Sequence, residues 1–404
     1  MLVLLGYGNT NKAIAEKFAP CVIFDDTFKQ ESKDLCGNSL LPSANLESFL
    51  KDNPNAKVVT SPGIPPFNPM IKLTKPMSEY DFFAQDMPLS IWISGTNGKT
   101  TTTQILSFLL EKNGAQSGGN IGTPLANLDK NTNIWVLETS SFTLHYTNLA
   151  KPNLYLLLPL SQDHISWHGS YENYVEDKLK PLKLLHDKEI AILPKEFENH
   201  ILVKQSLAKV FFYESSQDLA QTFHLDITKI TFKEPFLLDS VLALCAVKIL
   251  FDAVDYDLLN SFKIGEHRIE EFYDKHNRLW VDDSKGTNID ATIQALKRYQ
   301  DKEILLLIGG DDKGADLSPL FALIQDLNVR LFAIGSNAKK IEKLAQEIKK
   351  ECEVCHTIDI AVGAIKKYHN KESVAMLSPA AASLDQFSSY KERGEKFKLF
   401  ALQD

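Results

Sequence analysis

Short apolar stretches alternate along this chain with longer segments in which apolar residues recur every three or four positions. The short stretches predict buried β-strands and the longer segments predict amphipathic helices, because side chains repeat every two residues in a strand and about every 3.6 in a helix. Regular alternation of the two predicts α/β units with mainly parallel sheets. The predicted strands cover residues 2–5, 21–24, 57–60, 91–94, 134–137, 154–158, 189–193, 279–281, 303–308, 330–334 and 374–377.

Two interruptions divide this pattern. The first, near residues 77–89, follows the turn-rich segment Ser61-Pro-Gly-Ile-Pro-Pro66, and the second, near residues 260–266, precedes Gly265-Glu-His-Arg268. A chain of 404 residues corresponds to two or three domains of roughly 150 residues each. We predict three domains, at residues 1–82, 83–264 and 265–404.

Composition excludes several classes of protein. Hydrophobic residues make up 44% and charged residues 24% of the chain, which excludes disordered and coiled-coil proteins. The formal net charge of −8 argues against nucleic acid as a partner. The first residues resemble a strand rather than a signal peptide, and no stretch approaches the roughly 18 apolar residues of a membrane span. We therefore expect a cytoplasmic protein, without a membrane span, that acts as a monomer.

The cysteines favour reduced thiols, since there are five of them spread over a long chain. Two lie in Cys352-Glu-Val-Cys355-His356, which matches the C-x-x-C-H pattern of covalent haem attachment. That chemistry normally requires export, and a zinc site would need a second ligand pair nearby in the sequence. We therefore interpret this segment as the end of a helix that leads into a strand at residues 357–360.

The strongest local motif follows the predicted strand at residues 91–94 and leads into a helical stretch. In such a turn the backbone N–H groups, the helix N-terminus and a lysine ammonium converge on phosphate oxygens, and a hydroxyl can ligate Mg²⁺. The spacing is shorter than that of the common G-x-x-x-x-G-K-[ST] loop, and an ordinary turn is the alternative. The motif predicts a nucleoside triphosphate site formed by Gly95, Thr96, Asn97, Gly98, Lys99, Thr100 and Thr101.

Two later strand ends carry candidate metal ligands. Glu138 and the pair Asp163-His164 each follow an apolar stretch, and the carboxyl ends of parallel strands are where ligands bind in open sheets. A carboxylate there suits a hard cation that bridges phosphate oxygens. Taken singly, each residue could equally be a capping acid or a hydrogen-bonded histidine. The Gly6-Tyr-Gly8 turn resembles a dinucleotide fingerprint but lacks its third glycine, so it is a weak signal.

The order of the motifs resembles that of the Mur ligases, the ATP-dependent amide-forming enzymes of peptidoglycan precursor synthesis. The matching segments are residues 95–101, 119–122, 138–142, 163–164, 168–178, 265–270, 282–288, 309–316, 377–387 and 390–394. The similarity as a whole extends from the first predicted strand to the last helix, and the C-terminal segments are similar to those of the family's D-glutamate-adding member. The resemblance implies Rossmann-like N-terminal and C-terminal domains around a central domain like that of P-loop ATPases.

The resemblance also implies a catalytic centre with ATP and two Mg²⁺ ions. Lys99 would contact the terminal phosphates, and Thr100 and Glu138 would hold the first ion. His164 and Lys178 would serve the second ion, the lysine after carbamylation by CO₂. The sequence alone predicts Lys178 to be a solvated helix residue, and only the resemblance assigns it this role.

The implied reaction is the joining of D-glutamate to UDP-N-acetylmuramoyl-L-alanine through an acyl phosphate. The implied nucleotide-sugar contacts are Asn9, Thr10, Asp26, Thr27, Ser61, Gly63, Asn120 and Ser140. Those for D-glutamate are Thr287, Lys313, Ser383 and Tyr390. His267, Arg268, Asp283 and Lys285 match groups around the ATP ribose and phosphates. Without the resemblance, Ser61-Pro-Gly63 would be an ordinary turn and His267-Arg268 a surface pair.

Three departures from the family pattern bear on these expectations. The family usually carries an H-N-x-x-N stretch near adenine, whereas this chain has Glu234-Pro-Phe-Leu-Leu-Asp239. Thr143 stands where glutamine is usual, and Tyr390 replaces a common phenylalanine. The adenine contacts therefore do not follow from the motif.

Two other functions fit parts of the sequence. One is a related ligase that adds L-alanine, a diamino acid or a dipeptide, or a folylpolyglutamate synthase. The D-N-P-R element of the diamino-acid type is missing from the sequence, and a folate enzyme would not need residues 1–80 as a nucleotide-sugar domain. The other is a P-loop protein that binds nucleotide for switching or assembly.

Overall fold

The computed structural model describes residues 1–120 and 122–403. The chain forms two compact units, the first spanning Met1–Phe262 and the second beginning at Lys263. The predicted division of the first unit after residue 82 stays a prediction. Two of its sheets share apolar packing, since Leu4 and Ile14 belong to the same buried cluster as Trp92 and Tyr155.

The N-terminal sheet of the first unit has five strands in the order β3-β4-β2-β1-β5, all parallel except β3. Its strands are β1 (Leu2–Leu5), β2 (Val22–Asp25), β3 (Ser32–Lys33), β4 (Ser39–Pro42) and β5 (Lys57–Thr60). Its helices are α1 (Asn9–Lys17), α2 (Leu46–Asp52), α3 (Pro69–Lys72) and α4 (Glu79–Phe82). The first strand lies between β2 and β5, so the turn after it meets both neighbouring strand ends.

The second sheet is fully parallel, with the order β11-β10-β9-β6-β8-β7. Its strands are β6 (Leu89–Ser94), β7 (Ala115–Gly119), β8 (Ile134–Glu138), β9 (Leu154–Leu157), β10 (Ile190–Pro194) and β11 (Lys209–Tyr213). Its helices are α5 (Lys99–Leu109), α6 (Ser141–Tyr146), α7 (Ile165–His168), α8 (Tyr171–Leu179), α9 (Ile201–Lys204), α10 (Ser216–Thr222), α11 (Phe236–Phe251) and α12 (Tyr256–Ser261). Strand order reverses around β6, which creates a crevice at its carboxyl end.

The third sheet belongs to the second unit and has the order β12-β13-β17-β14-β15-β16, parallel except for β12. Its strands are β12 (Glu270–Tyr273), β13 (Leu279–Asp282), β14 (Glu303–Gly309), β15 (Val329–Ile334), β16 (Cys352–His356) and β17 (Ser373–Leu377). Its helices are α13 (Ile289–Arg298), α14 (Ser318–Asp326), α15 (Ala338–Glu347), α16 (Ile358–Tyr368) and α17 (Tyr390–Leu402).

The predicted α/β class with mainly parallel sheets is confirmed, and each of the eleven strands predicted from the apolar stretches is present within about two residues at its ends. Strands that the pattern did not predict lie mostly at sheet edges. One is the edge strand β7, whose sequence Ala-Gln-Ser-Gly-Gly has almost no apolar residue and therefore gave no strand signal.

The interpretation of residues 352–360 was wrong. Cys352–His356 is strand β16, and Ile358 begins α16 instead of a strand. The physical reason is the helical spacing of Ile358, Ala361 and Ile365, which are all buried in the core of the second unit. The two cysteines are free thiols on this strand.

Within the described residues, no helix is both long enough and apolar enough to cross a bilayer.

Candidate functional site

The loop at residues 95–98, between β6 and α5, has a backbone that only glycine fits easily. Gly95 has φ of 143° and Gly98 has φ of 81°. A Cβ atom on Gly95 would lie 2.5 Å from Leu158 Cβ, and one on Gly98 would lie 2.4 Å from Asp239 Oδ1. This left-handed, tightly packed turn directs the first turn of α5 toward the crevice at the end of β6, as the motif predicts.

The side chains of the loop are held by hydrogen bonds within the first unit. Lys99 Nζ donates to the carbonyl oxygens of Gly95, at 2.9 Å, and Thr96, at 2.7 Å. Thr96 Oγ1 lies 2.8 Å from the hydroxyl of Tyr174 on α8 and accepts from the N–H of Ser161. The ammonium therefore lies over the loop, where an anion bound to the backbone N–H groups would meet it.

Thr100 and Glu138 meet beside this loop. The Thr100 hydroxyl donates to Glu138 Oε2 at 2.7 Å, and Asn120 Nδ2 donates to Glu138 Oε1 at the same distance. Glu138 is 3% exposed at the end of β8. Thr100 and Asn120 thus share the carboxylate of Glu138, although Thr100 lies 38 positions before it in the sequence.

Lys178 is buried, with 1% of its surface exposed, so the expectation of a solvated side chain from the sequence alone was wrong. Its Nζ donates to Gly95 O at 2.9 Å and Ser94 Oγ at 3.1 Å. Burial, reinforced by the charge of Lys99, holds the pKa of Lys178 well below its usual value. The reason for its burial is that α8 packs Tyr174, Val175 and Leu179 inward, and Lys178 shares their face of the helix.

His164 lies on the solvent side of this cluster. Its backbone has a left-handed φ of 53°, and its ring packs against Phe142 at 4.7 Å between centroids. Burial lowers the pKa of His164, Asp163 opposes the shift, and the charges of Lys99 and Lys178 add to it. A neutral imidazole is the form that ligates a metal.

A cavity in the first unit gathers three of the eight predicted nucleotide-sugar residues. Asn9, Thr10 and Asn120 line it, together with Glu79, Tyr80, Thr143 and Tyr146 among others. Glu79 was not predicted. Its carboxyl group accepts from the N–H of Ala126, and burial raises its pKa to about 8.

The other predicted nucleotide-sugar residues lie outside the lining of this cavity. Asp26 accepts from Asn68, and Thr27 donates to Asp25, which also receives the N–H of Tyr7. Ser140 caps α6 by accepting the N–H of Thr143. Thr143 is the residue that replaces the glutamine usual in the family. Its hydroxyl lies 2.9 Å from that of Ser140, so the threonine forms a hydrogen bond within the helix cap.

The turn Ser61-Pro-Gly63 and the residue after it accept hydrogen bonds from two aromatic side chains. Trp167 Nε1 donates to Gly63 O at 3.3 Å, and Tyr146 OH donates to Ile64 O at 2.7 Å. Trp167 also packs against His168, with ring centroids 4.5 Å apart. The sequence analysis missed Trp167, whose only signal was its position within the Asp163–Lys178 segment.

In the second unit the predicted ATP contacts are held by buried partners. His267 Nδ1 lies 2.7 Å from Asp282 Oδ2, and both side chains are almost fully buried. Asp283 is also buried, which raises its pKa to about 7, and it accepts from Ser378. His267 is therefore part of a buried pair rather than a surface pair, whereas Arg268 is half-buried. With Glu270, which is paired with Lys398, the histidine and Asp282 form a tight polar cluster.

The predicted D-glutamate residues have contrasting surroundings. Lys285 Nζ lies 4.2 Å from the centre of the Tyr390 ring, so the tyrosine that replaces phenylalanine keeps an aromatic surface for a cation. The Thr287 N–H donates to Lys285 O. Ser383 is buried, whereas Lys313 is exposed in a left-handed turn after β14.

Arg393 was not assigned a role from the sequence, although it lies in the Tyr390–Gly394 motif. It is fully buried and donates to Ser284 Oγ, Ser284 O and Ala381 O. Burial lowers its pKa to about 10. Its guanidinium therefore joins the loop after β13, which carries Lys285 and Thr287, to the loop after β17, which carries Ser383.

The segment that departs from H-N-x-x-N packs behind the 95–98 loop. Asp239, near the start of α11, is 3% exposed and accepts from Thr102 Oγ1 at 3.0 Å. A Cβ atom on Gly98 would clash with this same carboxylate. In this chain the segment thus supports α5 and the loop that precedes it.

Comparison with known proteins agrees with this arrangement. Residues 93–238 match the family model described as the Mur ligase middle domain. A UDP-N-acetylmuramoylalanine–D-glutamate ligase of Campylobacter jejuni is 50% identical over 98% of both chains. One from Helicobacter pylori is 46% identical over 99% of both chains.

A solved structure extends the likeness to the fold. It is the MurF ligase from Thermotoga maritima in complex with ADP, which is 17% identical and has a TM-score of 0.60 over 99% of this chain and 93% of its own. At that identity the likeness concerns the fold alone. The curated relatives, by contrast, share close to half of their residues with this chain over almost its full length. The chain therefore belongs to the Mur ligase family, among the UDP-N-acetylmuramoylalanine–D-glutamate ligases.

Proposed function

We propose that this protein uses ATP to join D-glutamate to UDP-N-acetylmuramoyl-L-alanine. The carboxylate of the alanyl group attacks the terminal phosphorus of ATP, and ADP leaves. The amine of D-glutamate then attacks the acyl carbon of this acyl phosphate, phosphate leaves, and the nitrogen loses a proton. Activation is needed because a carboxylate is a poor electrophile at neutral pH, and a phosphate leaving group removes that barrier.

The observation that carries the proposal is the contact between Lys178 and the 95–98 loop. A buried lysine 2.9 Å from the carbonyl of a phosphate-binding turn has no value for nucleotide binding alone, since Lys99 already supplies the cation there. It fits a ligase in which that lysine is modified to hold a second ion at the transferring phosphoryl group.

The residues beside the loop suit a first Mg²⁺ ion. Thr100 Oγ1 and Glu138 Oε2 lie 2.7 Å apart. Adjacent ligands of an octahedral ion with bonds of 2.0–2.1 Å lie about 2.9 Å apart. A hydroxyl and a carboxylate are also the hard oxygen donors that this ion prefers. When bound, the ion would offset charge on the phosphate oxygens, while Lys99 orients the terminal phosphate.

The second ion would be held by His164 and a carbamate on Lys178. An ammonium cannot ligate a cation, but the lowered pKa of Lys178 favours the neutral amine, whose lone pair adds to CO₂ with loss of one proton. The product carries two oxygens that can ligate. The charge of Lys99 nearby would favour this anion over the amine.

The second unit would supply the amino acid and part of the ATP site. We assign the carboxylates of D-glutamate to Lys313, Thr287, Ser383 and Tyr390. A cation and several hydroxyl donors suit a ligand with two carboxylates. Lys285, Arg268, His267 and Asp283 are assigned to the ribose and phosphates of ATP. The nucleotide sugar is assigned to Asn9, Thr10, Asp26, Thr27, Ser61, Gly63, Asn120 and Ser140.

Phosphate release tests the proposal. The purified chain is supplied with ATP, Mg²⁺, UDP-N-acetylmuramoyl-L-alanine and one amino acid at a time: D-glutamate, L-glutamate, L-alanine, L-lysine or meso-diaminopimelate. We expect turnover only when both the nucleotide sugar and D-glutamate are present. Turnover with a different amino acid would assign the chain to another branch of the family. Equal turnover without any acceptor would instead indicate a nucleotide-binding protein that is not a ligase.

A further inference from the structure

Three side chains form a buried hydrogen-bonded chain next to the proposed metal site. Ser141 Oγ lies 2.9 Å from His168 Nε2, and His168 Nδ1 lies 2.9 Å from Asp177 Oδ2. The His168 side chain is 0% exposed and Ser141 is 3% exposed. We call Ser141, His168 and Asp177 the Ser-His-Asp chain.

Protonation within this chain follows from the acceptors. Asp177 Oδ2 lies 2.9 Å from His168 Nδ1, and both oxygens of Asp177 lie 3.0 Å from His145 Nδ1. A carboxylate accepts the proton that His168 carries on Nδ1, so Nε2 is the acceptor for the Ser141 hydroxyl. This is the arrangement of a hydrolase triad. Ser141 is buried, however, so it cannot contact a substrate. The Ser-His-Asp chain instead links three segments of the polypeptide.

The three members lie on the segments that carry the three proposed acidic or basic metal ligands. Ser141 begins α6, three residues after Glu138 at the end of β8. His168 ends α7, which is capped by His164. Asp177 directly precedes Lys178 on α8. The Ser-His-Asp chain therefore links α6, α7 and α8 through side chains, beside the contact of His145 on α6 with Asp177.

Aromatic packing keeps this link rigid. The His168 ring lies 5.6 Å from Phe142, 4.5 Å from Trp167 and 5.3 Å from Tyr174 between centroids. With both ring nitrogens bonded and its faces covered, His168 has one orientation. Groups that orient metal ligands in this way raise metal affinity because the ligands need not be ordered on binding.

We propose that Ser141, His168 and Asp177 are positioning residues that hold Glu138, His164 and Lys178 in the geometry required by the two proposed metal ions. The inference rests on the proposed two-ion site, and it gives a role to three residues that the metal-ligand assignments do not include. It also explains why α8 carries an acid beside the buried lysine. That acid faces the two histidines rather than the ammonium.

The test counts bound Mn²⁺, a spectroscopic stand-in for Mg²⁺, by electron paramagnetic resonance. The full chain is titrated with Mn²⁺ in the presence of a non-hydrolysable ATP analogue, UDP-N-acetylmuramoyl-L-alanine and bicarbonate. The variants are Asp177→Asn, Ser141→Ala and His168→Gln. Glu176→Gln is the matched control, because it removes a carboxylate from the neighbouring position of α8, where the side chain is exposed.

The expected result is two Mn²⁺ ions in the unchanged protein, with affinity for the weaker ion reduced about 10–100-fold in Asp177→Asn and Ser141→Ala. Glu176→Gln should stay within about twofold, the scatter of such a titration, which is far below that loss. Melting temperatures measured without metal separate positioning from simple stability. A lower melting temperature with unchanged Mn²⁺ affinity in Asp177→Asn would overturn the inference.

Failure of the proposed function gives a different result. If the unchanged protein binds only one Mn²⁺ under these conditions, the two-ion site is wrong and the positioning role fails with it. If it binds two ions and the variants bind them equally well, only the positioning role fails. Should His168→Gln not fold, the isosteric Asp177→Asn decides the question.

Discussion

The cluster around the 95–98 loop and the cluster around Lys285 in the second unit are built in opposite ways. In the first, the predicted site residues bind one another: Thr100 to Glu138, Asn120 to Glu138, and Lys99 and Lys178 to the loop carbonyl of Gly95. In the second, His267 and Asp283 are bound by scaffold groups, Asp282 and Ser378 respectively.

The two lysines proposed to act on substrates show the same contrast. Lys178 is 1% exposed, whereas Lys313 is exposed. A group that serves phosphoryl transfer benefits from fixed, desolvated surroundings, because electrostatic stabilisation is stronger where water is excluded. A group that captures a small, charged substrate has to be reached from solvent. We therefore expect changes in the first cluster to abolish turnover and changes in the second to weaken amino acid binding or stability.

The largest effect is expected at Lys178. Lys178→Ala should lower kcat by at least about 100-fold, because one strong electrostatic contact to the reacting group is lost. Lys178→Arg should be equally inactive, since a guanidinium cannot be carbamylated. Steady-state phosphate release with and without added acetate checks this. Partial rescue of Lys178→Ala, but not of Lys178→Arg, supports the carbamate role, and full activity of Lys178→Ala would refute it.

Lys313 should affect binding rather than turnover. Lys313→Gln should raise KM for D-glutamate by roughly 10–100-fold, the loss of one charge-assisted hydrogen bond, with kcat much less changed. The measurement is initial rate against D-glutamate concentration. Lys349→Gln is the matched control, since Lys349 is also an exposed lysine with a left-handed backbone. A fall in kcat at unchanged KM would place Lys313 outside the amino acid site.

Arg393 tests whether scaffold groups maintain the second cluster. Arg393→Lys keeps the charge but cannot span Ser284 and Ala381, so we expect a loss of about 2 kcal/mol or more in the free energy of unfolding of the second unit. Chemical denaturation followed by tryptophan fluorescence measures it. Arg330→Lys, at a partly exposed arginine beside Tyr368, should cost less than about 1 kcal/mol. Equal losses of unfolding free energy in Arg393→Lys and Arg330→Lys would show that the buried position of Arg393 adds nothing to stability.

The smallest effect concerns pH. The pKa of Asp283 is raised from 3.8 to about 7 by burial, so the folded state holds a proton that the unfolded state has released. Its contribution to stability is therefore full below pH 4 and is lost as pH rises toward 7. Melting temperatures of Asp283→Asn and the unchanged protein should diverge over this window, with the variant gaining relative stability as pH rises. Parallel curves would mean that Asp283 is ionised throughout.

The sequence predicted what depends on neighbours along the chain. Gly95, Gly98 and Lys99 follow from spacing, and the sheets follow from apolar stretches flanked by turns. Burial of Lys178 does not follow, because α8 reads as a polar helix and its inward face is set by packing against β6 and α6. The link from Ser141 to His168 and Asp177 joins residues up to 36 positions apart through side chains alone, so no local pattern reports it. The strand at Cys352–His356 was missed because its three apolar residues, Cys352, Val354 and Cys355, do not alternate regularly and are too few to separate a strand from a helix end.

The central claim is that the alanyl carboxylate of UDP-N-acetylmuramoyl-L-alanine is activated as an acyl phosphate before D-glutamate attacks. The most direct measurement labels both oxygens of that carboxylate with oxygen-18 and analyses the released phosphate by mass spectrometry. The proposed reaction transfers one labelled oxygen to every phosphate, because the bond that breaks lies between that oxygen and the acyl carbon. Phosphate without label, formed at the same rate as product, would contradict the account.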